Sequence, residues 1–146
     1  MNEAIGTKPP IWFWIVAAVL LIWNILGVMA YFGQVMATPE TLAQTYSAEE
    51  LEIIARTPSW ATSALAIAVF AGLVGVIFLL LRRAFARSLF ILSLIAVLVQ
   101  HVWTFFLSGF LDIMAANAAF FPIIVVIICL FQIWFAHLGI KRGWLR

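Results

Sequence analysis

Charged side chains are scarce in this chain, and they are absent where proton-coupled work inside a membrane would need them. They make up 10% of its 146 residues against 66% hydrophobic ones, a balance outside the soluble globular range. No Asp, Glu, Lys or Arg falls inside any of the four long apolar runs. Small four-helix proton-coupled exporters exchange protons for cargo on a membrane-embedded carboxylate, so the sequence argues against that mechanism. The single cysteine, Cys129, excludes an intramolecular disulfide and argues against paired-thiol redox or Cys/His zinc chemistry. It reads as a small buried apolar residue. The net charge of +2 is too small, and too confined to the span ends, for nucleic-acid binding. No strand precedes a Gly-rich phosphate loop, and neither Ser93 nor Ser108 has an acid–base partner nearby in sequence, so no catalytic residue, metal or cofactor is expected.

What is present is length of apolar chain. Four runs, at 11–33, 61–81, 88–110 and 119–139, are each long enough to cross a bilayer as a helix. The first follows a short polar tail with Lys8 and Pro9-Pro10. It exceeds a signal-peptide core and is followed by no clean cleavage site, so it reads as a retained span. The expected fold is all-α: a polytopic membrane protein in which 1–146 form a single four-transmembrane-helix bundle. A short extracytoplasmic helical loop, 34–60, separates the first two spans.

That loop carries two helix starts. Thr38-Pro39 is an N-cap followed by proline at the first helical position, and Ser47-x-x-Glu50 is a capping box. Leu51, Ile54 and Ala55 supply an apolar side to the second short helix, Glu49, Glu50 and Glu52 an acidic one, and Pro58 ends it. It reads as a surface helix resting on the bundle, or alternatively as a lid or partner-docking surface.

Basic residues set the expected orientation. Arg82, Arg83 and Arg87 crowd the 82–87 turn and Lys141, Arg142 and Arg146 the 140–146 tail, whereas the long loop has Arg56 against four glutamates. The positive-inside rule then puts both termini and the short turn in the cytoplasm of a bacterial cell, with the protein in its inner membrane. Trp12, Trp14 and Trp144 are read as interfacial anchors.

Two patterns stand out within the spans. Ala64, Ala68 and Gly72, with Gly75 beside them, repeat small residues every fourth position and predict close helix–helix packing, within the chain or with another copy. Gly27 and Gly33 are read as leaving room for a neighbouring backbone. The third span is the most polar: Ser93, Gln100, His101, Thr104 and Ser108 lie near one helical stripe. A lipid-facing helix would not carry Gln100 and His101 near its middle, so this stripe should face protein. Asn24 and His101 each lie about thirteen residues into their spans, which predicts similar depth. A neutral imidazole takes one donor and one acceptor partner, and Asn24, Gln100 and Thr104 are candidates. His101 reads first as a structural histidine, then as part of a substrate or proton path, and last as a metal or haem ligand. His137 lies nearer the cytoplasmic end, separated from His101 by roughly 12 Å in depth at ~1.5 Å per residue, which argues against one haem shared by the two within a chain. Gln132 is read as bonding a neighbouring helix.

Several stretches together carry a resemblance. They are Leu21-Ile22-Trp23-Asn24 with Gly27 and Tyr31, Pro58-Ser59-Trp60, Gly72 and Gly75 ahead of Leu79-Leu80-Leu81-Arg82, Ala84, Phe90, Ser93-Leu94, and Arg142-Gly143 with Leu145. With these the chain resembles, over nearly its whole length, a family of small bacterial four-span membrane proteins commonly labelled sugar transporters. The resemblance implies the four-span fold and a transport role. Its motifs are structural, and His101 matches none of them, so it implies no binding residues.

Two functions follow as expectations. One is a non-catalytic structural or accessory bundle that assembles through the Ala64/Ala68/Gly72 face, as a homo-oligomer or with a larger membrane complex. The other is a carrier or channel for a small neutral solute such as a sugar, with Asn24, Gln100, His101 and Thr104 as the ligand-binding set and Trp23 and Trp103 stacking on the ring. A membrane enzyme is the least supported. The lipid bilayer is the one partner that both readings share.

Overall fold

The computed structural model describes residues 7–113 and 119–146, and all regular structure among them is helical. Asn117, between the third and fourth apolar runs, lies outside the described residues, as do residues 1–6. Four helical runs of 22 to 25 residues are long and apolar enough to cross a membrane. They are α1 (Ile11–Val35), α4 (Ser59–Leu80), α5 (Phe85–Val102) with the π turn Trp103–Leu107 that prolongs it, and α7 (Phe120–Lys141). Large apolar side chains such as Val19, Ile22, Leu98 and Ile127 point outward from the bundle. In water that surface would be a liability; in hydrocarbon it is the ordinary outer face.

The short helices start where the capping residues stand. α2 (Pro39–Thr45) begins with the Thr41 N–H donating to Thr38 Oγ1, and Pro39 occupies a position whose N–H needs no partner. α3 (Ala48–Arg56) is closed by the reciprocal box: Glu50 N–H donates to Ser47 Oγ at 3.2 Å, and Ser47 N–H donates to Glu50 Oε2 at 2.8 Å. The inward side of α3 uses Leu51, Ile53 and Ile54; Ala55 is exposed, which corrects the expected apolar side by one residue.

The third span sits three residues earlier than expected. It runs Phe85–Leu107 rather than 88–110, with its length unchanged. Arg87 does not end the basic turn; it lies in the first turn of α5 and donates to His137 Nδ1 (3.1 Å). At the far end, Ser108 and Gly109 break the helix, with Gly109 at φ +81°, and the short α6 (Phe110–Ile113) follows.

α4 and α5, joined by the tight turn, pack most closely; α1 lies on α4 and α7 on α5. Within lipid there is little hydrophobic drive between helices, so this packing rests on close van der Waals fit. The small residues of α4 supply it. A Cβ on Gly72 would land on the Asn24 amide oxygen, and one on Gly75 would lie 2.7 Å from the Phe90 ring. Ala64 and Ala68 are buried in the same stripe. This face is therefore occupied inside the chain, against α1 and α5. It offers no surface to another copy, which corrects the expected assembly face. A Cβ on Gly27 would meet only the Val69 side chain, at an ordinary 3.7 Å, and one on Gly33 would have nothing within 4 Å, so neither makes the expected close approach to a neighbouring backbone.

The basic end of the bundle is sealed by aromatic packing. Phe13 stacks on Phe135 (centroids 5.3 Å apart) and meets the edge of Trp144 (5.6 Å). Trp144 is 4% exposed, so it is a core residue and not an interfacial anchor. The reason is local. Gly143, at φ +75°, turns the chain back so that the Trp144 and Leu145 N–H groups both donate to Gly139 O. Three segments are then stitched together: Thr7 N–H donates to Gly143 O, Arg146 N–H to Arg82 O, and Ala84 N–H to Arg146 O. Arg82 stands at φ +60°, which is uncommon for a side chain of its size, and its guanidinium donates to Trp144 O (2.9 Å) and Thr7 O (2.8 Å).

Candidate functional site

The polar residues of the spans form two groups at different depths. The deeper one ties the four helices together. Asn24 Nδ2 donates to Gln132 Oε1 (2.6 Å) and to Leu20 O (2.8 Å), while its oxygen faces Gly72. Ser93 Oγ donates to Ala68 O (2.7 Å), and Cys129 packs beside Ser93. Asn24, Ser93 and Gln132 are all buried.

The second group lies at the C-terminal end of α5, eight residues beyond Ser93, or ~12 Å along the axis. Gln100 Nε2 donates to Thr104 Oγ1 (2.9 Å), Gln100 Oε1 meets His101 Nδ1 (2.9 Å), and Ser108 Oγ donates to Thr104 O (2.6 Å). The π turn makes this alignment possible. Ser108 N–H reaches back five residues to Trp103 O (2.8 Å), and the wider turn keeps Gln100, Thr104 and Ser108 on one line. From the cap, Arg56 Nη2 donates to Ser108 O (3.0 Å) and holds α3 against α5.

The expected ligand set is therefore split. Gln100, His101 and Thr104 come together, but Asn24 belongs to the deeper group, bonded to Gln132. The depth match failed because the helix starts are not level: Asn24 and Ser93 meet at the same Gly72, and Ser93 stands eight residues before His101 on α5. Trp23 and Trp103 are likewise apart. Trp23 lies against Phe121 and Trp103 against the edge of Trp60, so they do not form two walls of one site. Arg56 was not singled out from the sequence; a lone arginine in an acidic loop was the available sign.

Two cavities flank the C-terminal end of α5. One, about 190 Å³, lies beneath α3 and is walled by Tyr46, Glu50, Gln100, Trp103, Thr104 and Ser108 among others. The other, about 460 Å³, is a cleft between α5 and α7 with Phe105, Phe106, Pro122, Ile123 and Val126 in its walls and His101 as its one polar side chain. The Gln100–His101 hydrogen bond links the two. Both serine hydroxyl hydrogens go to main-chain carbonyls, so neither Ser93 nor Ser108 is poised as a nucleophile. Among the described residues, no three His, Cys, Asp or Glu side chains converge as metal ligands would.

No protein-family model, curated protein or solved structure matches the chain.

Proposed function

We propose that this chain is a non-catalytic accessory protein of a bacterial inner membrane, with both termini cytoplasmic, a rigid inner half and an outer cap that meets a membrane partner. The observation that carries the reading is the bonded centre. Asn24, Gln132 and Ser93 direct their hydrogen bonds between α1, α4, α5 and α7 and fill the place where a translocated solute would pass. The clustering of Arg82, Arg83, Arg87, Lys141, Arg142 and Arg146 at one end supports the orientation.

A flux measurement tests it. Purified protein in liposomes should leave the entry of radiolabelled neutral sugars and polyols at the rate of protein-free liposomes; saturable flux would overturn the reading. For the orientation, cysteine placed at Ser47 should react with an impermeant maleimide on intact cells, and cysteine at Arg146 only after lysis. The native Cys129 is buried and should stay silent.

A second reading, a carrier for a small neutral solute, is favoured by the cavity beneath the cap, with Gln100, Trp103 and Thr104 in its wall. The resemblance to four-span proteins labelled sugar transporters points the same way. In that case Gln100→Ala should abolish flux while the protein stays folded.

A further inference from the structure

The basic end carries charge without a counter-charge. Every acidic residue among those described, Glu40, Glu49, Glu50, Glu52 and Asp112, belongs to the short helices at the opposite end. Two of the basic side chains are engaged within the protein: Arg82 holds Trp144 O and Thr7 O, and the Arg142 guanidinium lies over the Trp144 ring at 5.7 Å. Arg87 is different. It stands half-buried in the first turn of α5, and its side-chain partner is the imidazole of His137 on α7 (3.1 Å). An arginine ordinarily meets a carboxylate; this one meets a ring nitrogen. A guanidinium only donates, so His137 Nδ1 accepts, and Nε2 of the neutral ring carries the hydrogen.

One face of α7 continues from this contact. Leu130, Trp134, His137 and Lys141 follow one another at steps of four, three and four, so they share a stripe, and all four are exposed. The stripe changes character along its length. Leu130 and Trp134 are large and apolar, while His137 and Lys141, one turn further, present donors. Arg87 adds a third donor from α5. An apolar strip is thus topped by donors from two helices, at the end of the molecule where no described carboxylate stands. The complementary shape is an anionic head rich in acceptor oxygens on a hydrocarbon tail. A phosphodiester supplies that head, and arginine suits it because its fork of N–H groups matches phosphate oxygens. A free anion would match the donors and leave Trp134 and Leu130 without a partner.

We infer that the α5–α7 face at the basic end binds an anionic phospholipid, its headgroup between Arg87, His137 and Lys141 and an acyl chain along Trp134 and Leu130. Span ends lie at the level of the headgroups, so basic groups shared between two spans meet a lipid phosphate there. Arg87 and Lys141 supply the charge. His137 holds the Arg87 guanidinium in place and offers Nε2–H as a further donor. The inference goes beyond the accessory reading and needs only the four-span fold.

The test titrates the full chain, in a mild non-ionic detergent, with dioleoyl phosphatidylglycerol and separately with dioleoyl phosphatidylcholine, and counts retained lipid by native mass spectrometry. Phosphatidylglycerol should bind about tenfold more tightly. The double variant Arg87→Gln/Lys141→Gln, which keeps an amide donor for His137, should lose that preference. Lys8→Gln/Arg142→Gln removes the same amount of charge on the Thr7 and Trp144 side and should keep it, which separates a site from the general field of the basic end. Inorganic phosphate at millimolar concentration should not displace the lipid, and Trp134→Ala should weaken binding of both lipids. If Arg87→Gln/Lys141→Gln does not fold, the unaltered protein labelled with ¹⁵N-histidine decides: phosphatidylglycerol should move the ring signals of His137 and leave those of His101. Equal binding of the two lipids, equal loss in the two double variants, displacement by phosphate, no effect of Trp134→Ala, or an unmoved His137 would each overturn the inference.

Discussion

The two halves of the bundle are built on opposite terms. At the basic end, Phe13, Val76, Leu79, Phe90, Phe135, Trp144 and Leu145 interlock in one dry cluster, and three chain segments are stitched by main-chain hydrogen bonds. At the acidic end the helices are capped by short helices and one span closes on a π turn. Side chains there form only a small second cluster, Ala68, Ala96, Val97 and Cys129, and leave two cavities beside it. Asn24–Gln132 marks the border. The lesson is that one short membrane domain can hold a rigid base and a looser top when its large aromatics are gathered below a single buried amide pair. Loops and lids that move come from the less tightly held end of a structure, which is where the open volume lies.

Substitutions should break or sharpen this contrast to graded extents. The largest loss is expected for Gly72→Leu, because its side chain collides with Asn24 and Ser93 at the border where all four helices meet. A destabilisation of ~3 kcal/mol or more is expected, seen as failure to survive thermal challenge in mild detergent. Phe135→Ala strikes the base alone. It removes stacking on Phe13 and Phe131 and should cost ~3–5 kcal/mol in the same assay, while leaving hydrogen exchange in α3 unaffected once the protein is folded.

The border pair should behave as a pair. Gln132→Leu alone strands Asn24 and should cost ~1–3 kcal/mol, whereas adding Asn24→Leu should recover part of the loss, a coupling that a double-mutant cycle measures directly. A smaller effect is expected at the top. Arg56→Ala frees the cap from Ser108, and hydrogen exchange should quicken in 48–56 with a global cost of ~1 kcal/mol or less. Smallest in the whole-protein melt, Ser47→Ala removes one side of the capping box and should loosen α3 locally by ~1 kcal/mol. Slower exchange at the base than at the top in the unaltered protein would underlie all five outcomes; uniform exchange would contradict the contrast itself.

Much of the architecture is legible without coordinates, because hydropathy reports length and capping residues report starts. The four spans, the two short loop helices and the small-residue stripe of α4 are of this kind. Rotation and exact depth are a different matter. α1 and α7 are apolar all round, so no stripe in either sequence tells which side looks inward, and Asn24 and Gln132 could be recognised as polar without being recognised as partners. Arg87 was counted with the turn because its charge suggested water, yet a long side chain can start inside a helix and reach out. Trp144 looked like an anchor because tryptophan near a span end usually is one. Its burial depends on the reversal at Gly143, a main-chain event. The candidate site is the least legible part, since its membership rested on helices starting at one level, and Asn24 instead stands level with Ser93, eight residues before His101.

The stitch at the basic end also bears on how the molecule is made. Arg82 in its left-handed conformation is braced by Trp144 and Thr7, and its carbonyl by Arg146. A ribosome adding ~5–20 residues per second emits Arg82 roughly 3–13 s before Arg146. For that interval the hairpin of α4 and α5 sits in the membrane with its turn unbraced, held by the contacts between the two helices alone. They are the most closely packed pair in the bundle. Residues Trp144–Arg146 then act as a latch, and an insertion intermediate stalled before them would have its spans in place but its basic end still open to proteolysis.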